Sequence, residues 1–298
     1  EMLRSLVGSE MCIRDRVKDS DKPFFVYLCT NAPHGPMHAP EKSAKPYANQ
    51  GVNVANFLGM IANIDDNVGA MRAFLKKEGL AENTIFIFTT DNGTSSGAHI
   101  HNNGMRGRKG SEYDGGHRVP FFIHWPKGGL TGGRDVDMIA SYVDVVPTLI
   151  DYCRVPSPKG VKFDGVNIRS LIENKAKNWP DRILVTDSQR VRDPIKWRKS
   201  AVMTDQWRLV NGKELYDINA DPGQKQNIAA ANPKVVARLT KFYDGWWDEI
   251  VPTFGQPTAI YLGVIAPLAN PVSLPCHDWI AVGSTPWTQR HIRNAELI

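Results

Sequence analysis

No stretch of these 298 residues approaches the roughly 18 consecutive apolar residues that a membrane-spanning helix needs. Cysteine is scarce. The four cysteines, Cys12, Cys29, Cys153 and Cys276, form no Cys-x-x-Cys pair, which excludes the usual zinc-site and disulfide-framework patterns. Basic residues are scattered, with no Lys/Arg block and no interleaving with aromatics. The net charge of +5 suits an anionic ligand but otherwise reads as a solvated basic surface, not a nucleic-acid site. Internal repeats are absent. With 42% hydrophobic and 22% charged residues, the disordered and fibrous classes are excluded. The opening segment "EMLRSLVGSEMCIRDR" has neither an apolar core nor a small-residue cleavage site, so it is not a signal peptide. Within it, "SLVGSEMCIRDR" looks like translated read-through of a sequencing adapter. Residues 1–16 are therefore expected to be non-native, with the natural N-terminal portion and any export signal missing.

What is present is an alternation of strand and helix signals over a chain long enough for one large domain or two. Phe24-Phe25-Val26-Tyr27-Leu28 is a continuous apolar run and reads as a strand buried on both faces. It enters "TNAPHGPMHAP", where three prolines impose a loop. Phe57, Leu58, Ile61, Ile64, Val68, Met71 and Leu75 then recur at helical spacing, with Lys76 and Lys77 at the expected C-terminal end and Gly79 as the stop. Thr84–Thr90 is a second buried strand, and strand–helix–strand with a long crossover predicts a parallel sheet. A glycine-rich loop leads to a third strand over Val119–Trp125. A short helix over "SYVDVVPTLIDYC" follows, capped by Ser141 or Asp144, with Leu149, Ile150 and Cys153 facing inward. Arg182–Thr186 is a further strand. From about Ala201, "AVMTDQWRLVN" and "KELYDIN" predict antiparallel strands. Asn232-Pro233 opens a helix carrying Val236, Leu239, Tyr243, Trp246 and Ile250 as one stripe.

In open α/β sheets, ligands bind beyond the carboxyl ends of the strands. Asp91-Asn92 sits at one such end and the loop holding His34 at another. Asp and Asn offer hard oxygen donors, which suit Ca²⁺ or Mg²⁺ better than zinc. Taken alone, Asp-Asn-Gly after a strand is first of all a good turn, and His34 a loop histidine. Asp65-Asp66 lies within the amphipathic helix and reads as a solvated face.

The loop beyond Asp91 alters that balance. "NAPH" with His34, "TDNG" with Asp91 and Asn92, "KGSEYDGG" with Lys109, and "ELYDINADPGQKQNIA" occur in an order that resembles the sulfatase family of the alkaline phosphatase superfamily. The similarity runs over roughly residues 23–250. It implies an α/β fold with a mostly parallel sheet flanked by helices, alkaline phosphatase-like but incomplete, and a smaller C-terminal α+β subdomain. It implies metal-assisted hydrolysis of an aryl or carbohydrate sulfate, with Ca²⁺ expected before Mg²⁺. By the same resemblance, His34 and Lys109 are catalytic and sulfate-binding, and Asp91 and Asn92 are metal ligands. The partner implied is a small-molecule or carbohydrate sulfate ester, with no nucleic acid and no membrane span. The location implied is periplasmic or secreted. A cation and a lysine would offset the negative charge that develops on the sulfuryl oxygens and the departing alkoxide.

The family's nucleophile is a formylglycine made within a Cys-x-Pro-x-Arg pattern or its serine equivalent, and it belongs N-terminal to everything matched here. Cys12-Ile13-Arg14-Asp15-Arg16 mimics it, but Arg14 stands where the proline belongs. The formylglycine and the remaining metal carboxylates are thus expected in a missing N-terminal part, and the fragment is expected to be inactive and aggregation-prone as it stands. The expected organisation is a non-native segment 1–16, a partial α/β domain 17–198, an α+β subdomain 199–250 and an irregular tail 251–298. Arg190, Arg192, Trp197 and Arg198 are candidates for a sugar or anion subsite, and His99, His101 and Arg106 for the pocket rim. The rival readings are a phosphodiesterase or phosphatase of the same superfamily, and a non-catalytic binding protein on a degenerate sulfatase fold.

Overall fold

The computed structural model describes residues 22–255, apart from residues 190 and 192. The chain divides into two compact units, Glu1–Pro252 and Thr253–Ile298. The second lies almost wholly outside the described residues, as do the adapter-like segment with Cys12, residues 190 and 192, and Cys276 in the tail.

The longest element is helix α1, Val52–Lys77, of 26 residues. It buries Phe57, Met60, Met71 and Leu75, while Ile61 of the expected stripe is turned outward. It stops where Gly79 takes φ +71° and Leu80 N–H closes back on the Leu75 carbonyl at 2.8 Å, the left-handed ending that glycine permits. Asp65 and Asp66 are exposed on its outer face.

Strand β1, Phe86–Thr89, pairs antiparallel with β2, Phe121–His124, with Phe86 opposite His124 and Thr89 opposite Phe121. Behind them Leu130, Tyr152, Ile168, Leu171 and Ile172 form a buried cluster that receives Ile85, Ile123 and Trp125. Helix α2, Val145–Cys153, contributes Tyr152 to that cluster. Its inward face is Thr148 and Tyr152; Leu149 and Ile150 are half-buried and Cys153 is exposed, a correction to the expected face. The helix is entered through a capping box in which Ser141 and Asp144 satisfy each other's backbone amides. Asp144, wholly buried, also accepts from Val166 N–H at 2.9 Å and from both terminal nitrogens of Arg182 at 2.8 and 2.9 Å. This bidentate pair staples the start of α2 to the chain leading into the second sheet.

That sheet is a meander, β3 (Leu184–Asp187), β4 (Ser200–Met203), β5 (Trp207–Val210) and β6 (Glu214–Asp217), all neighbours antiparallel. Alternation assigns its faces. Ser200, Val202, Leu209 and Leu215 look toward helix α3, Pro233–Ile250, where the Ser200 and Tyr243 hydroxyls meet at 3.0 Å and Leu239 and Tyr243 are fully buried. Ala201, Arg208, Val210 and Tyr216 look the other way, toward Tyr113 and Asp114. Covering both faces explains why even the polar Ser200 and Arg208 are buried.

Two strand expectations need correction. Phe24–Leu28 is extended but forms no ladder, and Phe25 and Tyr27 are 77% and 83% exposed. Among the described residues both sheets are antiparallel, so the parallel pairing expected between this segment and β1 is not formed. The apolar run still lies beside β1 in the expected direction. Phe24 and Phe86 both pack against Met71, and the charge of Asp91 is felt at the Tyr27 hydroxyl. A β-forming run becomes a buried strand only where hydrogen-bonding neighbours and a covering layer are both present.

Candidate functional site

β1 delivers the chain into Thr90-Asp91-Asn92-Gly93. Asp91 is exposed at the strand end and accepts a hydrogen bond from the Asn92 side-chain amide. The Tyr142 hydroxyl closes on the Thr90 carbonyl and meets the Thr89 hydroxyl at 2.9 Å. Burial pushes the Tyr142 phenol up, and the charge of Asp91 adds to that push.

The chain then loops out and returns. Gly93 N–H donates to the Gly116 carbonyl at 3.0 Å, and Lys109 N–H donates to the Thr94 carbonyl at 2.8 Å. These two bonds stitch the acid-amide turn to the lysine loop. The stitch is tight: a Cβ on Gly93 would lie 1.9 Å from the Gly115 carbonyl oxygen, and one on Gly116 would lie 2.0 Å from that of Ser111. Only glycine permits this approach.

The lysine loop is fixed from its far side by the second sheet. Arg208 Nε donates to Asp114 Oδ1 at 3.0 Å, with both side chains buried, and Gln224 accepts from Asp114 N–H at 2.9 Å. Arg106 stacks on the Tyr113 ring at 3.9 Å and donates to the Tyr216 hydroxyl at 2.8 Å. The Tyr113 and Tyr216 hydroxyls both donate to Glu214. Burial alone would raise the Glu214 carboxyl, but these two hydroxyls and Arg106 outweigh it and hold it below the usual range. Burial first, then the bond to Glu214, pushes the Tyr216 phenol up to about 12. Asn211 donates to Glu112 at 2.8 Å, and Lys199 Nζ to the Gly110 carbonyl at 3.2 Å. Burial pulls His117 below the ordinary histidine value, against the opposing pull of Asp114.

Between this loop and the turn before β4 lies an open cleft of about 1100 Å³ lined by Ser95, Ser96, His99, Arg108, Lys109, Ser188, Arg198 and Lys199 together with Ala98 and Gly110. Four of its ten lining residues are Lys or Arg and none is Asp or Glu. Such a cleft can hold an oxyanion: the ammonium and guanidinium groups supply charge and the serines supply neutral donors.

Lys109, His99 and Arg198 thus share one cleft, with the Asp91-Asn92 turn joined to it through two backbone bonds. His34 is exposed in its proline-rich loop, its ring Nδ1 2.9 Å from the Gly35 carbonyl oxygen. Among the described residues no hydrogen bond links it to Asp91, Asn92 or Lys109. Arg106 serves the joint between loop and sheet, and Trp197 stacks on Tyr243 at 3.7 Å, so both are structural here. Arg108, Lys199 and Ser188 escaped the sequence reading. The signal for the first two was present: Arg108-Lys109 and Arg198-Lys199 are two copies of one basic dipeptide.

The acid-amide turn has the right donor chemistry for Ca²⁺, but the three side-chain oxygens of Asp91 and Asn92 are far from the 6–8 such an ion takes. Among the described residues no group of three or more His, Cys, Asp or Glu side chains is placed to hold a metal. These residues therefore do not by themselves fit a calcium ion, and no chemical step is assigned to one.

Residues 13–155 match the family model of the sulfatases, and residues 108–242 match that of the N-sulphoglucosamine sulphohydrolase C-terminal region. The chain is 30% identical over 289 residues to YdeN, an uncharacterized sulfatase of Escherichia coli K12, covering 84% of this chain and 51% of that protein. It is 28% identical to an arylsulfatase of Clostridium perfringens, covering 72% and 50%. Among solved structures it resembles Ps i-CgsB in complex with k-i-k-neocarrahexaose, with a TM-score of 0.73 and 26% identity over 84% of this chain and 56% of that one. The chain spans about half the length of the curated relatives it matches. No helix among the described residues is long and apolar enough to cross a membrane. The fold is of the alkaline phosphatase-like α/β class, and the chain belongs to the sulfatase family.

Proposed function

We propose that this chain carries the sulfate-gripping half of a sulfuric ester hydrolase acting on an aryl or carbohydrate sulfate. The observation that carries the reading is the convergence of Lys109, Arg108, Arg198 and Lys199 on one acid-free cleft, stitched to the Asp91-Asn92 turn. The relatives add direction: one is an arylsulfatase, and one is a structure bound to a carrageenan oligosaccharide. Lys109 would hold a sulfuryl oxygen and offset the charge that grows there as the S–O bond to the leaving group breaks. Fixing its loop from both sides avoids reorganisation at that moment. Its half-buried position in the open cleft excludes part of the water and so strengthens each contact.

His34 is assigned contact with the sulfate and turnover of the sulfated intermediate, and Asp91 and Asn92 two ligand side chains toward a divalent cation, Ca²⁺ before Mg²⁺, with further ligands supplied from elsewhere. These 298 residues contain no Cys-x-Pro-x-Arg pattern from which a formylglycine would be made, so alone they are expected to bind sulfate esters without hydrolysing them. Export to the periplasm or medium follows from the same family reading. The test is release of inorganic sulfate by the complete gene product from an aryl sulfate and from sulfated saccharides. Lys109→Ala should lower release by about 10²–10³-fold, the cost of losing one preorganised charge-stabilising donor. Unchanged release, or a preference for phosphate esters, would contradict the reading.

A further inference from the structure

The cleft holds more positive charge and more space than one sulfate requires. Its volume of about 1100 Å³ lies just above the roughly 300–1,000 Å³ typical of pockets for whole small-molecule ligands. The chain is nearly balanced overall, with 36 Lys and Arg against 31 Asp and Glu, yet the lining has four cations and no acid. Among the described residues the guanidiniums of Arg108 and Arg198 have no carboxylate partner, although most of the charged clusters around them are paired. Self-repulsion among these groups is unfavourable unless an anion relieves it.

The turn that presents Arg198 and Lys199 is built with unusual backbone. Trp197 has φ +62° and Lys199 φ +53°, so two residues with bulky or long side chains flank Arg198 in the left-handed region. Such strain persists only where the surroundings enforce it. Here they do: the Trp197 ring stacks on Tyr243, the Trp197 backbone N–H donates to the Tyr243 hydroxyl at 3.0 Å, and Arg198 N–H donates to the Ile195 carbonyl at 3.1 Å. Lys199 Nζ spends one donor on the Gly110 carbonyl. That bond leaves two donors free and sets the ammonium next to the residue that follows Lys109. The second sheet and α3 thereby hold the backbone that carries a pair of cations to the rim of the Lys109 loop.

We propose that Arg108, Arg198 and Lys199 form a second anion subsite beside Lys109, which selects substrates carrying a second sulfate group on the same saccharide. This rests on Lys109 gripping the first sulfate, and it adds the substrate class: multiply sulfated glycans over singly sulfated ones. The first sulfate would be read by Lys109, and the second by the turn before β4 together with Arg108 from the Lys109 loop.

Calorimetric titration of the 298-residue chain with a monosulfated disaccharide and its disulfated counterpart tests this. The disulfated ligand should bind about tenfold tighter, as one charge-assisted contact contributes. The advantage should shrink as salt rises, because exposed cations are screened. In Arg198→Ala/Lys199→Ala the ratio should fall to near one. Arg198→Ala alone should lower it part of the way, with circular dichroism confirming the fold. Equal binding of the two ligands by the unaltered chain, with monosulfate binding still lost in Lys109→Ala, would overturn the second subsite and leave the first standing. A ratio that survives the double substitution would also overturn it. No binding of either ligand would overturn both.

Discussion

Lys109 N–H donates to the Thr94 carbonyl at 2.8 Å, and this bond holds the backbone of the lysine loop against the chain that leaves the acid-amide turn. Fourteen residues of glycine-rich chain lie between the two positions, so the arrangement depends on close backbone contact and not on side-chain packing. Gly93 is the point of least tolerance. Gly93→Ala should force the Gly115 carbonyl away, destabilise the fold by about 1–3 kcal/mol as overpacking does, and weaken sulfate binding. Urea unfolding and sulfate titration measure the two effects. A fold and an affinity both unchanged would show that the stitch does not position Lys109.

Arg182 and Asp144 tie the start of α2 to the second sheet. Asp144 is fully buried and Arg182 nearly so, hence Arg182→Ala should cost about 3–5 kcal/mol by leaving an uncompensated carboxylate inside. Replacing both partners with apolar residues of similar size should cost much less. The comparison of the two unfolding midpoints checks this, and equal losses would contradict it.

His117 gives the fold a mild sensitivity to acid. Burial holds its folded value below the ordinary one, so on acidification the unfolded chain takes up a proton first. Stability should therefore fall as pH drops below about 6.5 and level off beneath the lowered folded value. His117→Gln should flatten the profile between pH values of about 7.5 and 5.5. Glu214 acts in a separate, lower window. Its folded value is depressed, so its contribution is present above about 4.3 and is lost as pH falls through the folded value. Identical profiles for His117→Gln and the unaltered chain would rule out the histidine.

Phe25 and Tyr27 expose large apolar surfaces next to β1 without a ladder. An extended apolar segment with unpaired amides is a site for edge association. Phe25→Lys should lower self-association of the chain in light scattering, with little change in its unfolding midpoint. Unaltered association would place the sticky surface elsewhere.

Helices were the most legible part of the sequence. The 3.6-residue spacing from Phe57 to Leu75, the glycine stop at Gly79 and the Asn232-Pro233 start each have a local cause, and α1 and α3 formed where these signals stand. The meander of β4, β5 and β6 was legible for the same reason, because its turns are short. The Phe24–Leu28 run was misread as a buried strand since its composition records what it can pack against, not whether a partner is in place. The site was half legible. Lys109 and the Asp91-Asn92 turn stood out through their motifs. Arg108 and Lys199 did not, because a surface cation and a cleft cation look alike until the fold brings two distant Arg-Lys pairs together. The role of Arg106 was likewise hidden, since its partners Tyr216 and Gln224 lie more than a hundred residues away.

The most direct test of the sulfate-gripping cleft is titration of the chain with inorganic sulfate, comparing the unaltered protein with Lys109→Ala. The expected result is saturable binding that weakens by about tenfold or more in the variant, the loss of one charge-assisted contact. Sulfate affinity that is the same in both proteins would contradict it.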